Sequence, residues 1–380
     1  MTLREVGHDV AVRATGELGS DRVGDHDDVV HGRRRVPLYS STPMENSDSS
    51  TQPAEEMAIF EDGPSEPLFS LVAGEGDGFM LGAVAGDAAG GAWELGYSSV
   101  AEQITVLSYQ LIEHRHLDTA RVIRVMRELD GSEEGDPVYR AETPHFRAWL
   151  DRAAAGSPVP EEEPSLDGVA RTVPIGVAFR RDPQAVTKEA IDLGRLFDRD
   201  AGSVAAGVIA ATAVAASCFG QSGRDLIVGV TETMMPVLGT LGNGLYGEQR
   251  LDSLETELDR LTEALGVVSG GEAIEYVGGD TGDPIQVMLA GLLLATPATD
   301  RYHTPIEQAA KVGGSTLGAA VGGIMGARVG IRAWPWAFAN DTWFAEIGRR
   351  VTRGPDEVRD LPIPYAVEQH LISGSHPGFH

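Results

Sequence analysis

"STLGAAVGGIMGARVG", Ser315 to Gly330, decides how the chain is read. Gly318, Gly322 and Gly326 recur at every fourth position, so on a helix they stack one turn apart on a single face. A face without side chains is flat and lets a second helix come close. In a soluble chain, that places the segment in the middle of a helical bundle. The flanking sequence agrees. "ITVLSYQLIEHRHL", "VTKEAIDLGRLF" and "LDSLETELDRLTEALG" space their apolar residues by three and four, while two-residue alternation is scarce, which predicts an all-α domain. "AGSVAAGVIAATAVAASCFGQSG", Ala201 to Gly223, is uncharged and long enough to cross a bilayer, but Ala, Gly, Ser and Thr dominate it. It predicts a central buried helix.

At 380 residues and 42% hydrophobic, the chain has enough apolar surface for a large core. A net charge of -27 and a pI near 4.6 set it against phosphate backbones and anionic lipid, so neither nucleic acid nor a membrane is expected as a partner. Cys218 is the only cysteine, which excludes an intrachain disulfide and a cysteine-built zinc cluster and agrees with a reducing cytosol. No apolar run of a signal peptide follows "MTLREVGHDV", so a cytoplasmic location is expected. Residues 1–70 are rich in Asp, Glu, Gly, Ser and Pro without an apolar period; they are expected to form a disordered acidic tail, available to a protein partner. The folded domain is expected over 71–355, with a C-terminal extension over 356–380.

Three short stretches carry chemistry-bearing side chains. "GAVAGDAAGGAWELG", Gly82 to Gly96, sets Asp87 and Glu94 seven positions apart, on one face if the helix runs through Gly90 and Gly91. Such an acid can be a general base in a cleft or can bond backbone donors. "GGDTGDP", Gly278 to Pro284, could hold a cation or a phosphate; its local chemistry equally suits a turn, with Asp283 as N-cap and Pro284 as the first helical residue. "HRH" is read as a helical stretch whose His114 and His116 point about 200° apart, too far to chelate one ion.

Taken in order, five segments resemble the signatures of the ADP-ribosylglycohydrolase family, which includes the dinitrogenase-reductase-activating glycohydrolases. "GAVAGDAAGGAWE" resembles the opening small-residue helix with its Gly-Asp-x-x-Gly and following Glu. "SVAEQITVLSYQLIEHRHLD" resembles the helix that carries a Thr-Asp-Asp-Thr motif, and "ARTVPIGVAF" the Met-Arg-x-x-Pro-Ile-Gly segment. "FDRDAGSVAAGVIAATAVAA" resembles the Thr-His-x-Asp helix, and "AAKVGGSTLGAAVGGIMGARVGI" the closing Gly-Gly-Asp-Thr-Asp loop with its helix. The match runs from about Phe79 to about Trp336. It implies a single orthogonal helical bundle of the family type, and it makes "GGDTGDP" a turn, because Gly313-Gly314-Ser315-Thr316 has the closing loop's context.

In the family, paired Asp residues of the early motif and Asp residues of the closing loop hold two Mg²⁺ ions that grip a ribose diol. The corresponding positions here read Ser99-Val100-Ala101-Glu102 and Gly313-Gly314-Ser315-Thr316, with Glu102 the one carboxylate, and Asp198 stands where the family has His. The resemblance therefore implies no metal cofactor, with Mg²⁺ retained only if the metal segments align differently. Asp87, Ser99, Glu102, Arg171, Ser315 and Thr316 are expected to line the ligand cleft, and Glu94, Asp198 and Asp200 are the catalytic candidates. Asp87 as a helix cap and Arg171 as a core ion-pair partner remain equal readings. Three functions stay open: a divergent family member that binds an ADP-ribose-like or nucleoside ligand or a protein; a metal-free enzyme that cleaves or rearranges an N- or O-glycosidic bond with carboxylates around Glu94; and the magnesium-dependent hydrolase.

Overall fold

The computed structural model describes residues 76–92, 97–130, 139, 142–157, 163–265, 274–279, 282–297, 302–331 and 341–353. The expected tail and the C-terminal extension lie outside them. Among the described residues there are helices and no strand. In chain order these are α1 (Phe79–Asp87), a π-type turn (Ala88–Ala92), α2 (Ser99–His114), α3 (Thr119–Asp130), α4 (Pro144–Ala154), α5 (Asp167–Arg171), α6 (Val173–Ala178) and α7 (Pro183–Phe197). There follow α8 (Ala201–Ser217), α9 (Gly223–Leu241), a 3₁₀ turn (Glu248–Leu251), α10 (Leu254–Ala264), α11 (Pro284–Ala295), α12 (His303–Val329) and α13 (Asp341–Arg353). No described helix is long and apolar enough to cross a membrane.

The glycine face of α12 meets a second one on α1. Gly318, Gly322 and Gly326 lie against the backbone of Gly86, Gly82 and Gly78, and a methyl group added at any of the three would overlap the facing carbonyl oxygen. Both helices therefore need glycine at a spacing of four, and the axes approach until backbone touches backbone. Every residue of α1 is buried. α8 is the other central element: of its residues, all but Ala216 are buried, and it packs on α5, α6, α7, α9, α11 and α12.

Two arginines, one buried and one half-buried, reach carbonyls at helix ends. Arg328 of α12, fully buried, donates to the carbonyls of Ala295 at 3.0 Å and Pro297 at 2.8 Å, where α11 runs out. Arg115 corrects the reading of "HRH": α2 ends at His114, and Arg115 adopts a left-handed conformation with φ 55°. Its guanidinium reaches the carbonyls of Val351 at 2.9 Å and Ala178 at 3.4 Å. The two histidines thus flank a helix C-terminus instead of sharing a helix. The stretch ends helices, which periodicity alone did not reveal.

Candidate functional site

The early motif and the closing loop come together at the end of α1. Asp87, with no exposed surface, accepts from Ser98 N at 2.7 Å, Ser98 Oγ at 2.6 Å and Ala101 N at 3.1 Å, so it caps the N-terminus of α2. Burial pushes its carboxyl upward, and the Ser98 and Ala101 donors work the other way. Ser315 Oγ donates to the Asp87 carbonyl oxygen at 2.9 Å. The helical run of α12 breaks at Gly313 (φ -125°, ψ 22°) and Gly314 (φ 63°, ψ -159°), so Ser315 and Thr316 open a second helical stretch, as the closing-loop context implied. Gly90 lies against the Ser315 backbone and Gly91, at φ 122°, kinks the turn after α1; the surface opens at Gly91 and Gly314, both exposed. Glu94, expected as a catalytic position, is outside the described residues.

The donors at this place are mostly neutral. Ser99 and Thr316 are buried, and the Ser99 hydroxyl has no hydrogen-bond partner. Glu102, buried on α2, is the one carboxylate among the substituted positions. Both oxygens of Asp87 are taken up by α2. A pair of Mg²⁺ ions needs near-octahedral oxygen ligation with charge to offset four positive charges. This donor set does not fit such a pair, and among the described residues no three of His, Cys, Asp and Glu are grouped to hold a metal ion.

A second, deeper polar cluster gathers two of the expected cleft and catalytic positions, Arg171 and Asp198, with His145 and Asp167, which sequence reasoning missed. Arg171 is 2% exposed; its Nε donates to Gln103 Oε1 at 2.6 Å and its Nη2 to Asp167 Oδ2 at 3.4 Å. Its guanidinium lies over the Phe197 ring at 4.1 Å and the Phe146 ring at 5.3 Å. His145 places Nε2 3.3 Å from Asp198 Oδ1 and Nδ1 3.6 Å from Asp167 Oδ2. Burial pulls the imidazole downward, but the Asp167 and Asp198 carboxylates outweigh it and raise the pKa to about 9. Burial raises Asp198, with His145 opposing. For Asp167 burial also acts upward, yet His145, Arg171 and Thr143 hold the carboxyl below its usual value. Burial, and then the charge of Glu102, push the Tyr139 hydroxyl well above its ordinary range. Two signals in the sequence pointed here. Thr143-Pro144 is a helix start that fixes His145 in the first turn of α4, and Asp167 stands four residues before Arg171 on the same helical face.

Asp200 belongs elsewhere. It caps α8, accepting from Ser203 N at 2.8 Å and Ser203 Oγ at 2.9 Å, and pairs with Arg250, which also reaches Asp283 Oδ2 at 2.6 Å. Asp283 in turn caps α11 through Ile285 N at 2.9 Å, with Pro284 in the first turn. That part of "GGDTGDP" is a helix start; Asp280 lies outside the described residues. A cavity of about 280 Å³ beside Arg250 and Asp283 is also lined by Ser253, Glu257, Ile285 and Gln286. Asp198 and Asp200, two residues apart, thus serve different partner sets.

An all-helical frame, a glycine-faced pair of helices and a converging early motif and closing loop together define one class of protein. The family model of ADP-ribosylglycohydrolase matches residues 76–360, and the chain belongs to that family. A solved structure described as an ADP-ribosylglycohydrolase-related protein complex shares the fold, with a TM-score of 0.53, 19% identity, 74% of this chain covered and 98% of that one. None of the curated proteins matches the sequence significantly. Membership makes this a glycohydrolase-like protein.

Proposed function

We propose that this chain keeps the family frame without its two-magnesium centre, and takes up an ADP-ribose-like or nucleoside ligand where α1, α2 and the break in α12 meet. The observation that carries this reading is the engagement of Asp87: its carboxylate is occupied by the start of α2, and its carbonyl by Ser315. A ligand entering beside Gly91 and Gly314 meets backbone and the Ser315 hydroxyl, and among the described residues no cluster of carboxylates stands there to recruit Mg²⁺. Glu94 is the residue assigned to contact that ligand.

A thermal-shift series with ADP-ribose and adenosine, each with Mg²⁺ and with EDTA, tests the reading. A ligand at a hundred times its dissociation constant stabilises the fold by about 2.7 kcal/mol. The expected result is a shift that EDTA leaves intact. A shift that appears only with Mg²⁺, or no shift with either ligand, contradicts it.

A further inference from the structure

α4 meets the rest of the bundle along a short polar seam. Thr143, its N-cap, donates to Asp167 of α5, and Trp149 donates its indole N–H to the Leu196 carbonyl of α7 at 3.2 Å. Between them His145 faces a carboxylate with each ring nitrogen, Asp198 at 3.3 Å and Asp167 at 3.6 Å. A neutral imidazole carries one N–H and one lone pair, so with both carboxylates ionised either tautomer turns a lone pair to a carboxylate, whereas the imidazolium suits both sides. Both ring nitrogens are buried and neither makes a hydrogen bond, so the contact with the two carboxylates is an electrostatic tie. His145 also stands in the first turn of α4, where the helix field disfavours a cation. The two carboxylates hold it against that field.

The charged surroundings balance only with the proton in place. Asp167 and Arg171 act on the ring from α5 and Asp198 from the end of α7, and the charge of Arg171 is in turn felt by Tyr139, on which Glu102 of α2 also acts. On α4's other side Arg147 pairs with Asp130 of α3 and lies 3.4 Å from Glu142. Against Asp167 and Asp198 stand Arg171 and the imidazolium; remove the proton and one buried carboxylate loses its cation.

We propose that the proton on His145 fastens α4 to α5 and the end of α7, and that its loss lifts α4 and opens the Phe146, Trp149 and Phe197 cluster to water. Trp149 and Phe197 pack with ring centroids 4.5 Å apart under the seam, so undocking separates them. The pKa of about 9 keeps the seam closed through neutral pH.

Acrylamide quenching of Trp149, isolated as the difference between the full chain and its Trp149→Phe variant from pH 6 to 10, reads the seam directly. Expected is shielding at neutral pH and a rise in quenching with a midpoint near 9, with helix content unchanged. Asp198→Asn should move that midpoint down by about one pH unit or more, the effect of removing one close carboxylate. His145→Gln should abolish the step. Trp149 shielded throughout to pH 10, a midpoint unmoved in Asp198→Asn, or a step that survives His145→Gln overturns the proposal; if His145→Gln fails to fold, the Asp198→Asn midpoint decides.

Discussion

Ser315 donates its hydroxyl to the backbone carbonyl of Asp87 at 2.9 Å, across 228 positions of sequence. That bond ties the break in α12 to the end of α1, while the Asp87 carboxylate ties the end of α1 to the start of α2. The three segments that would supply a family metal centre are held here by bonds among themselves. The Asp87 carboxylate, the Ser315 hydroxyl and backbone groups make those bonds.

Asp87→Asn should therefore destabilise the fold. An amide presents an N–H₂ group where the carboxylate accepts from Ser98 and Ala101, leaving buried donors mismatched at a cost of about 1–3 kcal/mol. Urea denaturation at pH 7 measures it. Unchanged stability with lost ligand binding would move Asp87 from a cap to a ligand contact.

Gly322→Ala should be costly, because its methyl group would overlap the carbonyl of Gly82 and force α1 and α12 apart. Overpacking of this kind costs about 1–3 kcal/mol or more. Gly239→Ala on α9 is the control: nothing lies within 4 Å of its added methyl group, and alanine in a helix should stabilise by about 0.5–1 kcal/mol. Denaturant midpoints of the two variants should move in opposite directions.

The fold was legible because its signals are repetitive. Spacing of three and four gave the helices, and Gly318, Gly322 and Gly326 announced the close contact; the matching Gly78, Gly82 and Gly86 face was hidden until the partner helix was known. Asp283-Pro284 read correctly as a helix start because capping is a local event, whereas Asp200, a catalytic candidate in the sequence, caps α8 and pairs with Arg250. The cluster around Arg171 was only half legible. Arg171 and Asp198 stood inside family-like segments, whereas His145 and Asp167 join them from α4 and α5 through tertiary packing that no single-segment pattern encodes. "HRH" misled for a related reason: the left-handed Arg115 is fixed by carbonyls of α6 and α13 far along the chain.

Arg171→Met should cost about 3–5 kcal/mol, the range for removing one partner of a buried pair, since Gln103 and Asp167 both lose their donor. Arg171→Lys should recover only part of this, because an ammonium lacks the planar fork that stacks on Phe197. Thermal denaturation ranks the three proteins.

The stability lost in His145→Gln should depend on pH with a fixed sign. The folded-state pKa, about 9, is raised above the ordinary 6.5, so the contribution is fully present below pH 6.5 and fades as pH rises through 9. Paired urea melts of the parent and the variant between pH 6 and 10 should converge at the alkaline end. A gap that stays constant across that range would assign His145 a packing role alone.

Metal content tests the central claim most directly. Protein purified without chelator, assayed by elemental analysis and then titrated with Mg²⁺ by calorimetry, should carry no stoichiometric magnesium and show no saturable binding, because Glu102 alone among the substituted positions offers charge to a divalent pair. Two magnesium ions per chain, abolished by Asp87→Asn or Glu102→Gln, would contradict the account and restore a metal centre at the junction of α1, α2 and α12.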